Sequence, residues 1–240
     1  MPRLSHNHEP FEDPLHWISR GLTKLYSIWL GLTYPFSAKG KHLSIHYTCR
    51  LNRAVARAVQ LGNSIAIGKD SWLNVSGSAV AKDNPAIVID DCTLIGPRCQ
   101  ISAANSIHIE RDVLIAASVL IMDHSHAYED ITIPIHRQGI TAGGRIRIGQ
   151  GSWIGAGAAV ICPRGELTIG RNCVIAVNSM VTRSIPDYSV AFGVPARVIR
   201  QYDPEMGAWR IGPNRGRAAQ NRNSVIQTSS VEPSTEWVEQ

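Results

Sequence analysis

From Ile89 to Val181 an aliphatic residue returns at every sixth position for most of the run. Ile89, Ile95 and Ile101 form one triplet, and Ile109, Ile115 and Ile121 the next. Ile148, Ile154 and Val160 follow, then Ile169, Ile175 and Val181, and Ile67, Leu73 and Ala79 make a looser triplet upstream. Glycine often stands directly after the aliphatic residue, as at Ile95-Gly96 and Ile154-Gly155. A helix face repeats near 3.6 and a strand near 2, so a period of six needs another geometry. One short strand plus a turn fills six residues, and three such units close one triangular coil. The pattern predicts an all-β solenoid, a parallel β-helix whose interior is a column of aliphatic side chains.

The pattern changes at both ends and once in the middle. From Pro14, apolar residues at Leu15, Ile18, Leu22, Leu25, Trp29 and Leu32 fall at helical spacing, and Tyr34-Pro35 ends that element. The helix is expected to pack on the solenoid or on a neighbouring subunit. Trp17, Trp29 and Lys24 also fit a helix lying on a membrane surface. Residues 14–66 are thus a helical and transitional segment, and 67–200 are the solenoid. Residues 1–13 and 201–240 are polar, lack periodicity and are expected to be disordered. Between Ile121 and Ile148 the register breaks for 27 residues, which predicts a projecting loop over 122–146. Long loops inserted in a regular array tend to carry function.

Composition narrows the picture. Hydrophobic residues make up 44% of the 240 but aromatics only 6%, which suits a narrow prism filled by Ile, Val, Leu and Ala. The net charge of +5 is spread without a long basic run, so no nucleic-acid partner is expected. Five cysteines without a CxxC pair argue against a disulfide framework or zinc ribbon. Cys99 and Cys173 are expected in the core, and a reducing, cytoplasmic setting is expected with them. Residues 1–13 carry Glu9, Glu12 and Asp13, unlike a secretory signal, and no apolar run has the length to span a bilayer.

The loop offers His124 and His126 beside Asp123, Glu129 and Asp130. An imidazole fixed through one ring nitrogen can take a proton from a hydroxyl at the other. No GxSxG elbow or cysteine nucleophile accompanies the histidines, so direct transfer is favoured over a covalent enzyme intermediate. A zinc site would need three convergent imidazoles, for which His108, His124, His126 and His136 are the candidates. A third alternative is a scaffold with no reaction at all.

The repeats, the His-bearing loop, Ser152-Trp153-Ile154-Gly155-Ala156-Gly157 and the closing Gly193-Val194-Pro195-Ala196-Arg197-Val198-Ile199 together resemble the hexapeptide-repeat O-acetyltransferases. Galactoside, maltose and exopolysaccharide acetyltransferases belong to that group, and the resemblance covers about residues 65–200. It implies a left-handed β-helix, a homotrimer, and acetyl-CoA bound between neighbouring prisms as acyl donor to a sugar or glycan hydroxyl. No metal is implied. Counting from Val113-Leu114-Ile115-Ala116 places the family's general base at His126, with His124 as the alternate and either Asp123 or a backbone carbonyl setting the tautomer. The resemblance further implies donor contacts at Trp153, Gly155, Ala156 and Val177, and phosphate contacts at Arg183, Arg197 and Arg200. The upstream sugar-binding asparagine of small-galactoside enzymes has no clear counterpart, which argues against a small free sugar; the resemblance and the membrane-surface reading of the helix imply an envelope or exopolysaccharide intermediate. The γ-type carbonic anhydrases share the scaffold but not the histidine spacing found here.

Overall fold

A computed structural model describes residues 14–76, 79 and 84–211. It is a left-handed parallel β-helix with one helix packed at its N-terminal end. Helix α1 runs Pro14–Thr33. The first coil follows with β1 (Ala38–Lys39), β2 (Ser44–Ile45) and β3 (Arg50–Leu51). The second has β4 (Val59–Leu61), β5 (Ala66–Ile67) and β6 (Trp72–Val75), and the third β7 (Ile87–Ile89), β8 (Leu94–Ile95) and β9 (Gln100–Ala103). In the fourth are β10 (Ser106–Ile109), β11 (Leu114–Ile115) and β12 (Leu120–Met122). The fifth has β13 (Arg145–Ile148), β14 (Trp153–Ile154) and β15 (Ala159–Ile161), and the sixth β16 (Glu166–Ile169), β17 (Val174–Ile175) and β18 (Met180–Val181).

Each strand pairs in parallel with its counterpart one coil away, which generates three faces. Face I stacks the first strand of every coil, face II the second and face III the third. The registers place Ile95, Ile115, Ile154 and Ile175 in one vertical row, and Ile101, Ile121, Val160 and Val181 in another. These residues are at most 3% exposed, so the predicted period of six is the core column itself. Burying one such side chain stabilises the fold by about 1.5–3 kcal/mol.

Two corners of the triangle are built alike in coil after coil. At the corner from face I to face II, Cys92, Asp112 and Asn172 take positive φ of 57°, 59° and 50°. From face II to face III, Asp70, Arg98, Ser118 and Asn178 do the same at 55–61°. Short polar side chains and glycine tolerate this left-handed turn best, which explains the Asp, Ser and Asn found there. Glycine after the aliphatic residue has a separate cause. A Cβ on Gly155 would lie 2.7 Å from the Ile175 carbonyl oxygen of the next coil.

The third corner, from face III to face I, is irregular. It holds Ala104 and Asn105 in one coil, the loop from Asp123 to Gly144 in the next, and a 3₁₀ turn over Arg53–Ala58 in another. Every break in the six-residue register falls at this corner.

Several boundaries differ from the sequence reading. The sheets begin at Ala38 rather than near Ile67, because Ile45, Leu51 and Leu61 already occupy core positions. Ala79 is buried but belongs to the irregular corner rather than to a face III strand. Residues 201–211, expected to be disordered, are strands instead. β19 (Ser189–Gly193) joins face II, then β20 (Ala196–Asp203) and β21 (Ala208–Ile211) continue it antiparallel, with Trp209 edge-on to Tyr202 at 5.5 Å. The disorder expected for 1–13 and 212–240 falls outside the described residues.

Helix α1 forms where predicted but presents an unexpected face. Leu30 and Ser27 are buried, and the Ser27 hydroxyl accepts from the Ile45 N–H. Tyr26 packs against the same core. The apolar stripe of Ile18, Leu22, Leu25, Trp29 and Leu32 points outward at 45–80% exposure. No described helix is long and apolar enough to cross a membrane.

Candidate functional site

The irregular corner carries a carboxylate held on both oxygens. In the fourth coil, β12 ends at Met122 and delivers Asp123 against the Ala104–Asn105 turn of the coil below. That turn is so short that successive backbone N–H groups of Ala104, Asn105 and Ser106 converge on one point. Asp123 Oδ1 accepts from Ala104 N at 2.7 Å, and Oδ2 accepts from Asn105 N and Ser106 N, both at 2.8 Å. Converging amides of this kind form an anion-binding concavity, here filled by a side chain 0% exposed.

Oδ1 has a second partner, His124 Nδ1 at 2.9 Å. With the carboxylate in an accepting role, the shared proton sits on Nδ1 and the lone pair on Nε2. Nε2 has no hydrogen-bond partner among the described residues. Thr23 Oγ1 is the only sealed, unpartnered side-chain atom there, so Nε2 retains contact with solvent although His124 is 8% exposed. The pair is therefore an oriented imidazole at the base of the loop, equipped to accept a proton.

His126 is placed differently. The extended segment does not hold both histidines on one face: His126 is exposed and its Nδ1 lies 3.3 Å from the Gly139 carbonyl. It belongs to the neck of the loop, where Ala127 N–H donates to Gly139 and Thr141 N–H to Ser125. Beyond the neck, the Gln138 amide donates to the Asp130 and Ile133 carbonyls and closes the tip. Arg164 pairs with Glu129 and ties the loop to the next coil. Hydrogen bonds from the Tyr128 and Glu129 amides, together with Arg164, hold the Glu129 carboxyl below its usual range. The loop returns through Gly143 and Gly144. A Cβ on Gly143 would lie 3.0 Å from Asn105, so the chain re-enters against the same short turn that grips Asp123.

The other predicted residues lie elsewhere on the prism. Trp153 points outward from face II, 45% exposed, in register with Leu114 and Val174. Gly155 and Ala156 form the corner from face II to face III, and Val177 stands exposed at that corner one coil on. On a single chain, the width of face III separates this group from Asp123–His124. Arg183 follows β18, near the irregular corner, while Arg197 and Arg200 project from β20; all three are exposed. Arg197 Nη1 donates to its neighbour's carbonyl at Ala196.

Among the described residues no three His, Cys, Asp or Glu side chains are grouped to hold a metal ion. The four candidate imidazoles do not converge; His108 Nε2 is instead 2.8 Å from Asp90 on face I. The five cysteines are unpaired, and burial pushes the Cys49 thiol up to about 11 and raises those of Cys99 and Cys173. Cys49, Cys99, Cys162 and Cys173 are buried core residues, whereas Cys92 stands exposed at the corner from face I to face II.

The amide clamp on Asp123 escaped the sequence reading. Its signal was the shortness of the Ile101-to-Ile107 connection, one coil before the histidines.

Comparison with known proteins agrees with this architecture. No protein-family model matches the chain. A probable acetyltransferase of Mycobacterium tuberculosis is 34% identical over 161 residues, 67% of this chain. The chain spans about half of that relative, 48% of its length. The putative lipopolysaccharide biosynthesis O-acetyl transferase WbbJ of Escherichia coli is 30% identical over 158 residues, covering 63% of this chain and 76% of WbbJ. Among solved structures, AntD, an N-acyltransferase from Bacillus cereus in complex with dTDP and 3-hydroxybutyryl-CoA, shares the fold. Its TM-score is 0.60 at 18% identity, over 75% of this chain and 91% of AntD. Repeats, loop position and relatives agree, and the chain belongs to the hexapeptide-repeat acetyltransferase family.

Proposed function

We propose that the protein is an acetyl-CoA-dependent O-acetyltransferase acting on a sugar hydroxyl of an envelope or exopolysaccharide intermediate. The observation that carries this reading is the Asp123–His124 pair, with its carboxylate clamped by backbone amides and its Nε2 unengaged. The relative named as a lipopolysaccharide biosynthesis O-acetyl transferase supports the acceptor class.

In this mechanism His124 Nε2 takes the proton of the acceptor hydroxyl as its oxygen attacks the thioester carbonyl. Asp123 stabilises the resulting imidazolium and keeps the ring from turning. As the tetrahedral intermediate collapses, the carbon–sulfur bond breaks and His124 returns its proton to the departing thiolate. The products are acetyl ester and free thiol, with the imidazole neutral again. Backbone amides near Gly155 and Ala156 serve the thioester oxygen, and the exposed Arg183, Arg197 and Arg200 serve the donor's phosphates.

Because the donor-facing corner and the histidine corner are separate edges of one prism, the reading includes a homotrimer. The donor lies along the edge of one prism and meets His124 of the next. The exposed apolar loop residues Tyr128, Ile131 and Ile135 support contact with a neighbouring prism. Unpaired cysteines and the acetyl-CoA donor go with a cytoplasmic setting.

The assignment of His124 rather than His126 is tested by thiol release from acetyl-CoA with an acceptor panel. His124→Ala is expected to lower turnover by about 10²–10⁴-fold with the melting temperature kept, and His126→Ala by only a few-fold. The reverse order returns the role to His126. Loss in neither variant leaves the scaffold reading.

A further inference from the structure

We propose that the outward face of helix α1 and the basic segment around it dock the protein onto an anionic lipid bilayer. This goes beyond the acyl-transfer reading and does not depend on it. Trp17, Ile18, Leu25, Ile28, Trp29 and Leu32 are each 50–80% exposed, and Leu22 lies among them. At about 100° per residue they span an arc of roughly 140° on one side of the helix. On the opposite side Ser27 and Leu30 fix the helix to the first coil, so the apolar arc is held rigidly outward.

Charge selects the occupant. From Pro14 to Lys69 the sequence has eight Lys and Arg and no Asp or Glu, so this stretch exceeds the whole chain's net charge of +5. The bordering acidic residues are Asp13 and Asp70. Part of this charge lines one flank of the apolar arc. Arg20, Lys24 and Gly31 fall within about 40° of one another on the helix, and the Lys39 ammonium lies 3.5 Å from where a Cβ on Gly31 would stand. The arc therefore has a basic border of Arg20, Lys24 and Lys39. Two tryptophans on an apolar face and a cationic flank without any acidic residue are the composition of a helix that lies in the headgroup region of a membrane. An uncharged protein surface would match the apolar arc but leave the one-signed charge unexplained. Anionic headgroups match both.

The test is flotation of the full-length protein with vesicles of phosphatidylcholine alone or with roughly 30% phosphatidylglycerol. Binding to the anionic vesicles is expected to exceed binding to the neutral ones by about tenfold or more, and to fall between about 50 mM and about 500 mM NaCl. Leu25→Gln with Leu32→Gln, and separately Arg20→Glu with Lys24→Glu, should each lower binding by about tenfold. Both pairs are exposed, and thermal melts confirm that each variant folds. Absence of binding by the unaltered protein, or binding indifferent to both pairs, overturns the proposal. So does sedimentation without lipid in which Leu25→Gln with Leu32→Gln dissociates the assembly, since the arc is then a subunit interface. Vesicle binding with no thiol release would defeat the enzyme reading and leave this one standing.

Discussion

Two kinds of corner share one prism. The corners bordering face II repeat a single left-handed turn in coil after coil, and the corner from face III to face I repeats nothing. The regular corners fix the rise and register, because each is packed directly on the backbone above and below. The irregular corner is free to vary, since the parallel ladders on either side are already held. The candidate site collects where the repeat relaxes. The Asp123–His124 pair, the loop and the 3₁₀ turn all lie at that corner, and the core column behind them is unbroken.

This contrast can be broken most forcefully by moving length from one kind of corner to the other. Two residues inserted between Gly96 and Pro97 should displace the left-handed turn at Arg98 and unstack two coils. The expected loss is more than about 3 kcal/mol, read by chemical denaturation. The same insertion between Thr132 and Ile133, in the loop tip, should cost less than about 0.5 kcal/mol, because closure entropy grows slowly with loop length. Equal losses would abolish the distinction.

Next in size is Ile115→Ala, deep in the column, at about 2–5 kcal/mol by the same measurement. Asp123→Ala strands the amides of Ala104, Asn105 and Ser106 and should cost about 1–3 kcal/mol. It should also lower turnover. Asp123→Asn sets an NH2 donor against backbone N–H donors whichever way the amide turns, so it too should lower both stability and turnover. Asn178→Ala, at φ 55°, should cost about 1 kcal/mol and Asn178→Gly less.

The smallest effect concerns pH. The Asn63 backbone and side-chain amides hold the Asp91 carboxyl below its usual range. At Glu110, burial raises the carboxyl, but the Gln150 amide and Arg147 outweigh it and the net shift is downward. Carboxyls depressed in the folded state contribute stability above their unfolded value, about pH 4, and lose it as pH falls through the folded value. Asp91 is screened by solvent, and at Glu110, its side chain 18% exposed, the cost of burial offsets part of the gain, so thermal melts between pH 7 and pH 3 should show only a shallow decline attributable to them.

What the amino-acid order revealed follows the same division. Period six is legible because each buried position admits only a compact aliphatic side chain, and four triplets from Ile89 to Val181 announced the coils. The first coil was harder to see because the turn at Arg53–Ala58 interrupts the spacing between Leu51 and Leu61. β20 and β21 have no fully enclosed side, so their residues alternate without an apolar signature. The stripe on α1 was legible as a stripe, but its direction was not. Ser27 docks the helix by accepting a hydrogen bond from the Ile45 N–H, and a polar contact of that kind leaves no hydrophobic trace. At the loop, counting along the chain put His126 ahead of His124. The proposed reversal of that order rests on backbone amides contributed by a different turn of the solenoid, which spacing does not reveal.

That last arrangement has a consequence for how such a protein can grow. Asp123 is supplied by one storey of the tower and its cradle by the storey beneath, so the proposed reactive unit is a pair of neighbours and not a single module. Copying one module elsewhere in the gene would lengthen the tower without creating a second reactive pair. New acceptors are reached instead by rewriting the overhang between Asp123 and Gly144, while the masonry stays as it is.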